Sequence, residues 1–187
     1  MSRRAIIALL VGAAVALSGC GSGEGSSSQF EAQTEGIYLT IGGLTYQVQM
    51  SRYLNPGDVE DAEYLNGLPE GIPAQLPGDE TWFGIWMRVK NYSEEPLTPT
   101  SSFTIVDTEE NEFRPVPLDA GSNPFVYEPK ELRHAQVLPT PDTAAATGPI
   151  QGALILFRLT TESLQNRPLK LHIEQGGSQT GIIDIDL

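Results

Sequence analysis

Between Ile37 and Met50 the chain changes character at every residue. Ile37, Leu39 and Ile41 alternate with Tyr38 and Thr40. Leu44, Tyr46, Val48 and Met50 alternate with Thr45, Gln47 and Gln49. A period of two belongs to strands with one buried face; a helix needs apolar residues three and four apart. Gly42-Gly43 separates the two runs and supplies the positive-φ pair of a tight turn, so the segment is predicted to be a hairpin. Further strands are predicted at Trp82–Asn91, Phe103–Asp107, Glu112–Val116, Ala153–Leu159, Leu169–Gln175 and Gly181–Leu187, about eight in all. No long 3.6-residue period and no internal repeat competes with them. One short helix is predicted over residues 55–65, inside a long excursion between strands. Asn55 can cap it, Pro56 suits its first position, acids favour its start, and Asn66-Gly67 can stop it. Short strands with polar turns predict an all-β antiparallel sandwich. Two stretches, Tyr53–Glu80 and Pro117–Gln151, are long, rich in Pro and assigned no strand.

The N-terminus follows a different logic. Arg3 and Arg4 precede an uncharged apolar run of 13 residues, Ala5–Leu17. Such a run is too short for a transmembrane helix, which needs about 20, and suits the core of a signal peptide. It ends in Leu17-Ser18-Gly19-Cys20, which resembles the lipobox of bacterial lipoproteins. That resemblance implies that the Cys20 thiol takes up a diacylglyceryl group and that acyl chains of the palmitate kind anchor the protein. Small Ser18 and Gly19 would let the peptidase reach the backbone. The expected organisation is a signal peptide over 1–19, a lipidated Cys20 with a flexible Gly/Ser tether to residue 33, and one domain over 34–187. The expected location is the extracytoplasmic face of the cell membrane.

Charge sharpens this picture. The chain has 11 Lys and Arg against 24 Asp and Glu, a formal net charge of −13. That balance argues against nucleic acid, whose phosphates need clustered cations. It also predicts repulsion from anionic headgroups, leaving the anchor to hold the domain at the membrane. Cys20 is the one cysteine, so an internal disulfide and a Cys-based zinc site are both excluded.

A second resemblance rests on the central strands. Val89-Lys90-Asn91 closes one strand, a polar turn follows, and Phe103-Thr104-Ile105-Val106-Asp107 carries a Phe and an Asp. Gly152-Ala153-Leu154-Ile155-Leu156-Phe157 comes later, before Pro168-Leu169-Lys170-Leu171. Over residues 82–173 this layout resembles the secreted immunoglobulin-like domains of unknown function in bacterial lipoproteins. The fold is similar to that of the mycobacterial immunoprotective extracellular proteins. The resemblance implies an immunoglobulin-like sandwich in the cell envelope, and no catalytic residues.

Candidate chemistry is sparse. His134 falls in a loop and His172 faces outward on a strand; no nucleophile elbow is present, and no cofactor is implied. Asp107–Glu112 places acids at alternate positions but fails the EF-hand pattern, which needs Gly sixth and Glu twelfth. Asp58, Glu60, Asp61 and Glu63 form a second acidic cluster, readable as a weak divalent-ion site or as a solvated helix start. Asn91-Tyr92-Ser93 matches a glycosylation acceptor, which bacterial export makes coincidental. Trp82 and Trp86 share the outer face of their strand with Arg88 and Lys90 if Phe83, Ile85, Met87 and Val89 face inward. Two readings of that face stand. The tryptophans form a platform for a ligand or partner, or Tyr64, Leu65, Leu68, Ile72 and Leu76 of the excursion fold back over them. The functional expectation is a membrane-anchored, non-catalytic binding or protein-interaction module of the cell envelope. The alternative is a small-ligand or divalent-ion binding protein using its acidic loops.

Overall fold

A computed structural model describes residues 28–177 and 179–185. The lipobox and the signal segment lie outside them. The strands are β1 (Ser28–Ala32), β2 (Leu39–Ile41), β3 (Leu44–Leu54), β4 (Glu80–Asn91), β5 (Phe103–Val106) and β6 (Glu112–Phe113). They continue with β7 (Pro115–Val116), β8 (Val137–Leu138), β9 (Ala153–Thr160), β10 (Leu169–Gln175) and β11 (Gln179–Ile185). Helices α1 (Val59–Tyr64) and α2 (Ala144–Thr147) lie in the two long connections.

One sheet runs β1-β11-β10-β5-β6 and the other β2-β3-β4-β9-β7, with β8 added beside β4. In chain order, β3-β4-β9-β7 reproduces the A-B-E-D sheet of an immunoglobulin domain and β11-β10-β5 its G-F-C sheet. The predicted immunoglobulin-like sandwich is therefore the observed fold. Its core lies between the sheets. Tyr46 and Val48 of β3, Phe83, Ile85, Met87 and Val89 of β4, and Leu171 and Ile173 of β10 are all buried there.

Details differ from the sequence reading, each for a local reason. Residues 28–32 were expected in the tether, yet they pair in parallel with residues 179–183. Only Ala32 of that strand is buried, so its place is set by ladder hydrogen bonds that leave no hydrophobic pattern. Residues 112–116 were expected as one strand. They split, because Phe113 pairs with Ile105 in one sheet while Pro115 pairs with Phe157 in the other. Arg114 carries the chain across. Met50 was expected to face inward with Val48. A register shift between Val48 and Met50 turns it out, 40 % exposed, and Ser51 takes the inward position. The helix in the excursion exists but starts at Val59, because Asp58 and not Asn55 caps it. The Asp58 carboxylate accepts from the Glu60 N–H at 2.9 Å and the Asp61 N–H at 3.4 Å. Asn55 instead accepts from Gly57 in a turn one step earlier. The sequence predicted one helix; α2 adds a second, of a single turn.

β2 closes the sandwich by pressing onto β11. A Cβ at Gly181 would lie 2.1 Å from Ile41 Cδ1 and 2.7 Å from Leu39 Cδ2. Only glycine lets the two strands approach this closely.

Candidate functional site

The outer face of β4 is divided. Its first half carries Trp82 and Trp86, which are 1 % and 0 % exposed. The excursion after β3 folds back over them, with Tyr64, Leu65 and Leu76 buried in the same cluster and Leu68 and Ile72 packed against it. The Trp82 indole donates to the Ala74 carbonyl at 2.7 Å. Tyr64 meets the Trp86 ring edge-on at 5.0 Å, and the Arg52 guanidinium sits 5.5 Å from that ring. The exposed tryptophan platform is thus ruled out, and the covering alternative is the arrangement found. Burying two indoles and a phenol explains why: a second apolar core on the outer sheet face outweighs the cost of ordering a long, Pro-rich segment.

Both long connections build this cover. Asn123, fully buried in the second one, donates from Nδ2 to the carbonyls of Tyr64 at 2.9 Å and Asn66 at 3.0 Å. It thereby satisfies carbonyls at the last residue of α1 and just beyond it. Phe125 meets Tyr64 at 4.8 Å, and the Asp119 N–H donates to the Gly67 carbonyl at 2.8 Å. Nothing in the sequence of either stretch announces the other.

The weak acidic candidates are engaged by protein groups. Asp58 caps α1. Asp61 is buried and forms an ion pair with Arg52, and it accepts from the Asn55 N–H at 2.8 Å. Burial raises its pKa, but hydrogen bonds from Arg52 and Asn55 and the Arg52 charge more than offset this and hold it below the usual carboxylate range. Glu60 and Glu63 are exposed on α1. Among the described residues, no three His, Cys, Asp or Glu side chains are grouped as a metal site. Asp107 is equally committed. One oxygen accepts from the Glu109 and Asn111 N–H groups, each at 2.9 Å. The other accepts from the side chains of Asn111 at 2.9 Å and Asn166 at 3.3 Å. Those are donors, arranged for a bare carboxylate and not for a cation's oxygen shell.

The remaining polar residues of interest have structural duties. Asn91 is fully buried. Its Nδ2 donates to the carbonyls of Leu132 at 2.7 Å and Glu95 at 2.8 Å, while its Oδ1 accepts from Ser93. Its amide is therefore not offered to any modifying enzyme. His134 is exposed, with Nδ1 3.0 Å from the Ser93 carbonyl. His172 is half-buried on β10; burial and the Lys170 charge push its pKa down.

The second half of the same sheet face is open. Lys90 stands opposite Thr45 and Arg88 opposite Gln47 on adjacent strands. Tyr38, 63 % exposed, comes just before β2, and Tyr92, 58 % exposed, just after β4. These six side chains line one shallow hollow, and the Lys90 ammonium lies 4.3 Å from the centre of the Tyr92 ring. Arg88 also borders a second hollow of about 260 Å³ with Pro139, Asp142 and Thr147. Among the described residues, neither Arg88 nor Lys90 has a carboxylate within ion-pair distance, whereas Arg52, Arg158 and Lys170 do. Two unpaired cations between exposed tyrosines, on a chain this acidic, form the candidate binding face. Alternation along β4 places Arg88 and Lys90 there; Tyr38, Gln47 and Tyr92 join only through the pairing of β2, β3 and β4.

A separate apolar groove of about 320 Å³ opens where the chain crosses between sheets, lined by Phe103, Val116, Leu118, Tyr127, Leu154 and Leu156 among others.

No family model matches the chain, and no curated protein matches it. Solved structures do. The yjhA protein from Bacillus subtilis aligns with a TM-score of 0.53 at 10% identity, covering 83% of this chain and 100% of that one. An uncharacterized β-sandwich protein from Clostridium difficile 630 aligns at 0.43 and 9%, covering 86% and 97%. The ycdA protein of Bacillus subtilis aligns at 0.48 and 14%, covering 80% of this chain and 38% of its own. At such identities the likeness to yjhA is one of fold alone.

Proposed function

We propose that this chain is a lipid-anchored, extracytoplasmic binding module of the cell envelope, non-catalytic, whose binding face is the open half of the β2–β3–β4 sheet. The anchor rests on Leu17-Ser18-Gly19-Cys20 directly after the apolar run. The binding role rests on one observation: Arg88 and Lys90 stand unpaired between exposed Tyr38 and Tyr92. Arg and Tyr are among the side chains that most often carry interface energy, and the two cations, Arg88 and Lys90, select an acidic partner. The non-catalytic reading draws on the two histidines: exposed His134 meets Ser93 through its backbone carbonyl, with the Ser93 hydroxyl given to Asn91 and Glu95, and His172 is half-buried on a strand.

The test is a photo-cross-linker on Gln47→Cys in the lipidated protein, used in native membranes. Adducts are expected at position 47, lost with Arg88→Glu/Lys90→Glu and in an unanchored Cys20→Ala chain. Labelling at 47 no stronger than from Ala62→Cys on α1 would overturn the reading.

A second reading, a carrier of a small apolar ligand, is favoured by the groove beside Tyr127 and Leu154. Calorimetric titration with short-chain fatty acids tests it; absence of heat at millimolar ligand removes it.

A further inference from the structure

The tyrosine–cation face lies at the end of the sandwich where the described chain begins. Ser28 pairs with Gln179, just after the β10–β11 turn. The Gly42 N–H in the β2–β3 turn donates to Gln179 Oε1 at 2.6 Å, so that turn occupies the same end. Leu44 pairs with Asn91 there, followed inward by Thr45 with Lys90 and Gln47 with Arg88. At roughly 3.3 Å per residue, Arg88 is only about 10 Å from this end. β2 also lies against β1, which brings Tyr38 to the flank from which the chain leaves. Seven residues separate Cys20 from Ser28. Eight Cα steps reach at most about 28 Å, so an anchor on Cys20 keeps this end near the bilayer. The α1 end, at the far side of β3 and β4, points away.

We propose that the Tyr38–Arg88–Lys90–Tyr92 face rests on the anionic phospholipid headgroups of the membrane that holds the anchor, and so fixes how the domain stands. The proposal rests on the anchored-module reading above. Arg presents a fork that matches phosphate oxygens, Lys a point charge, and tyrosine rings favour the depth of the headgroups. The nearest acids by sequence, Glu94 and Glu95, follow Tyr92, and Glu94 lies 3.8 Å from the His134 ring nitrogen. At a net charge of −13 the whole chain is repelled by an anionic surface. Attraction by two cations acts within a screening length of about 8 Å. The face therefore works only once the anchor has brought it close: the lipid supplies proximity and the side chains supply orientation.

The lipidated protein carrying an environment-sensitive probe on Gln47→Cys is reconstituted in phosphatidylcholine vesicles with and without phosphatidylglycerol. Reduction of the probe by dithionite is expected to slow roughly tenfold when the anionic lipid is present. The effect should vanish with Arg88→Ala/Lys90→Ala, and a probe on Ala62→Cys should be indifferent to lipid. Equal rates at position 47 in both vesicles overturn the proposal. If position 47 is nonetheless cross-linked to a protein in native membranes, the partner is that protein and the binding-module reading survives alone. Protein that washes off both vesicles removes the anchor and both readings with it.

Discussion

Asn91 shows how much one buried amide can organise. Its two donors and its acceptor tie the end of β4 to the loops that follow β4 and precede β8. Asn91→Ala removes one donor each from the Leu132 and Glu95 carbonyls, which keep the Leu97 N–H and the Ser93 hydroxyl, and strips the Ser93 N–H of its acceptor; it is expected to cost about 2 kcal/mol, read from urea unfolding. Asn91→Asp, which places a buried carboxylate against two carbonyls, should cost at least as much. Acid sensitivity falls on Asp61 and, with the larger shift, on Asp107. Burial raises its pKa, but donors from Asn111, Ser163 and Asn166 outweigh that and bring it down to about 2. A carboxyl depressed in the folded state stabilises fully above its unfolded pKa of about 3.9, and that contribution fades as pH falls toward 2. Unfolding midpoints should therefore decline between those values, and Asp107→Asn should flatten the decline while lowering stability at neutral pH. An unchanged slope in Asp107→Asn would assign the acid sensitivity elsewhere.

At the scale of elements, the excursion is the part whose role the sequence leaves open. Both tryptophans sit in the cluster it forms with β4 and β9. Trp emission therefore reports on this outer core and not on the inter-sheet core. Tyr64→Ala removes the edge contacts to Trp86 and Phe125 and is expected to cost about 3–4 kcal/mol with a red shift of emission. Acrylamide should quench the parent protein weakly and this variant strongly. The closure of β2 onto β11 is equally testable: Gly181→Ala should cost about 1–3 kcal/mol by crowding Ile41 and Leu39. The strands themselves were legible, because β3, β4, β9 and β10 each alternate or run apolar over seven or more residues, and β11 carries Ile182, Ile183 and Ile185 in its last four. β1 was not, since Ser28-Gln29-Phe30-Glu31 offers no buried face and is placed by its ladder. The break at Arg114 was not, since both halves of 112–116 fit one alternation. The cover over Trp86 was legible only as a choice, because deciding it needs Asn123 and Phe125, some 60 residues from Tyr64, at contact.

For the whole molecule, charge is the governing quantity. Self-repulsion at a net charge of −13 loosens the folded state, so added NaCl should raise the urea midpoint. A fall would mean that the ion pairs Arg52–Asp61 and Arg158–Glu80, which salt weakens, carry more than the repulsion they sit in. The candidate face follows from the same accounting, read locally. Nine cations remain beyond Arg3 and Arg4, and Arg88 and Lys90 stand on one strand face with no carboxylate within ion-pair distance among the described residues. The way β1 joins the fold adds a mechanical consequence. Its five residue pairs with β11 run parallel, and the chain enters at Ser28. A pull on the segment ahead of Ser28 is directed along the strand, and the hydrogen bonds lie across it. The load then falls on the whole ladder at once, in shear, and does not peel it one bond at a time. Had β1 entered antiparallel from the opposite end, the same force would unzip it. On the proposed anchoring at Cys20, tension from the membrane would reach the sandwich through β1 in this resistant direction.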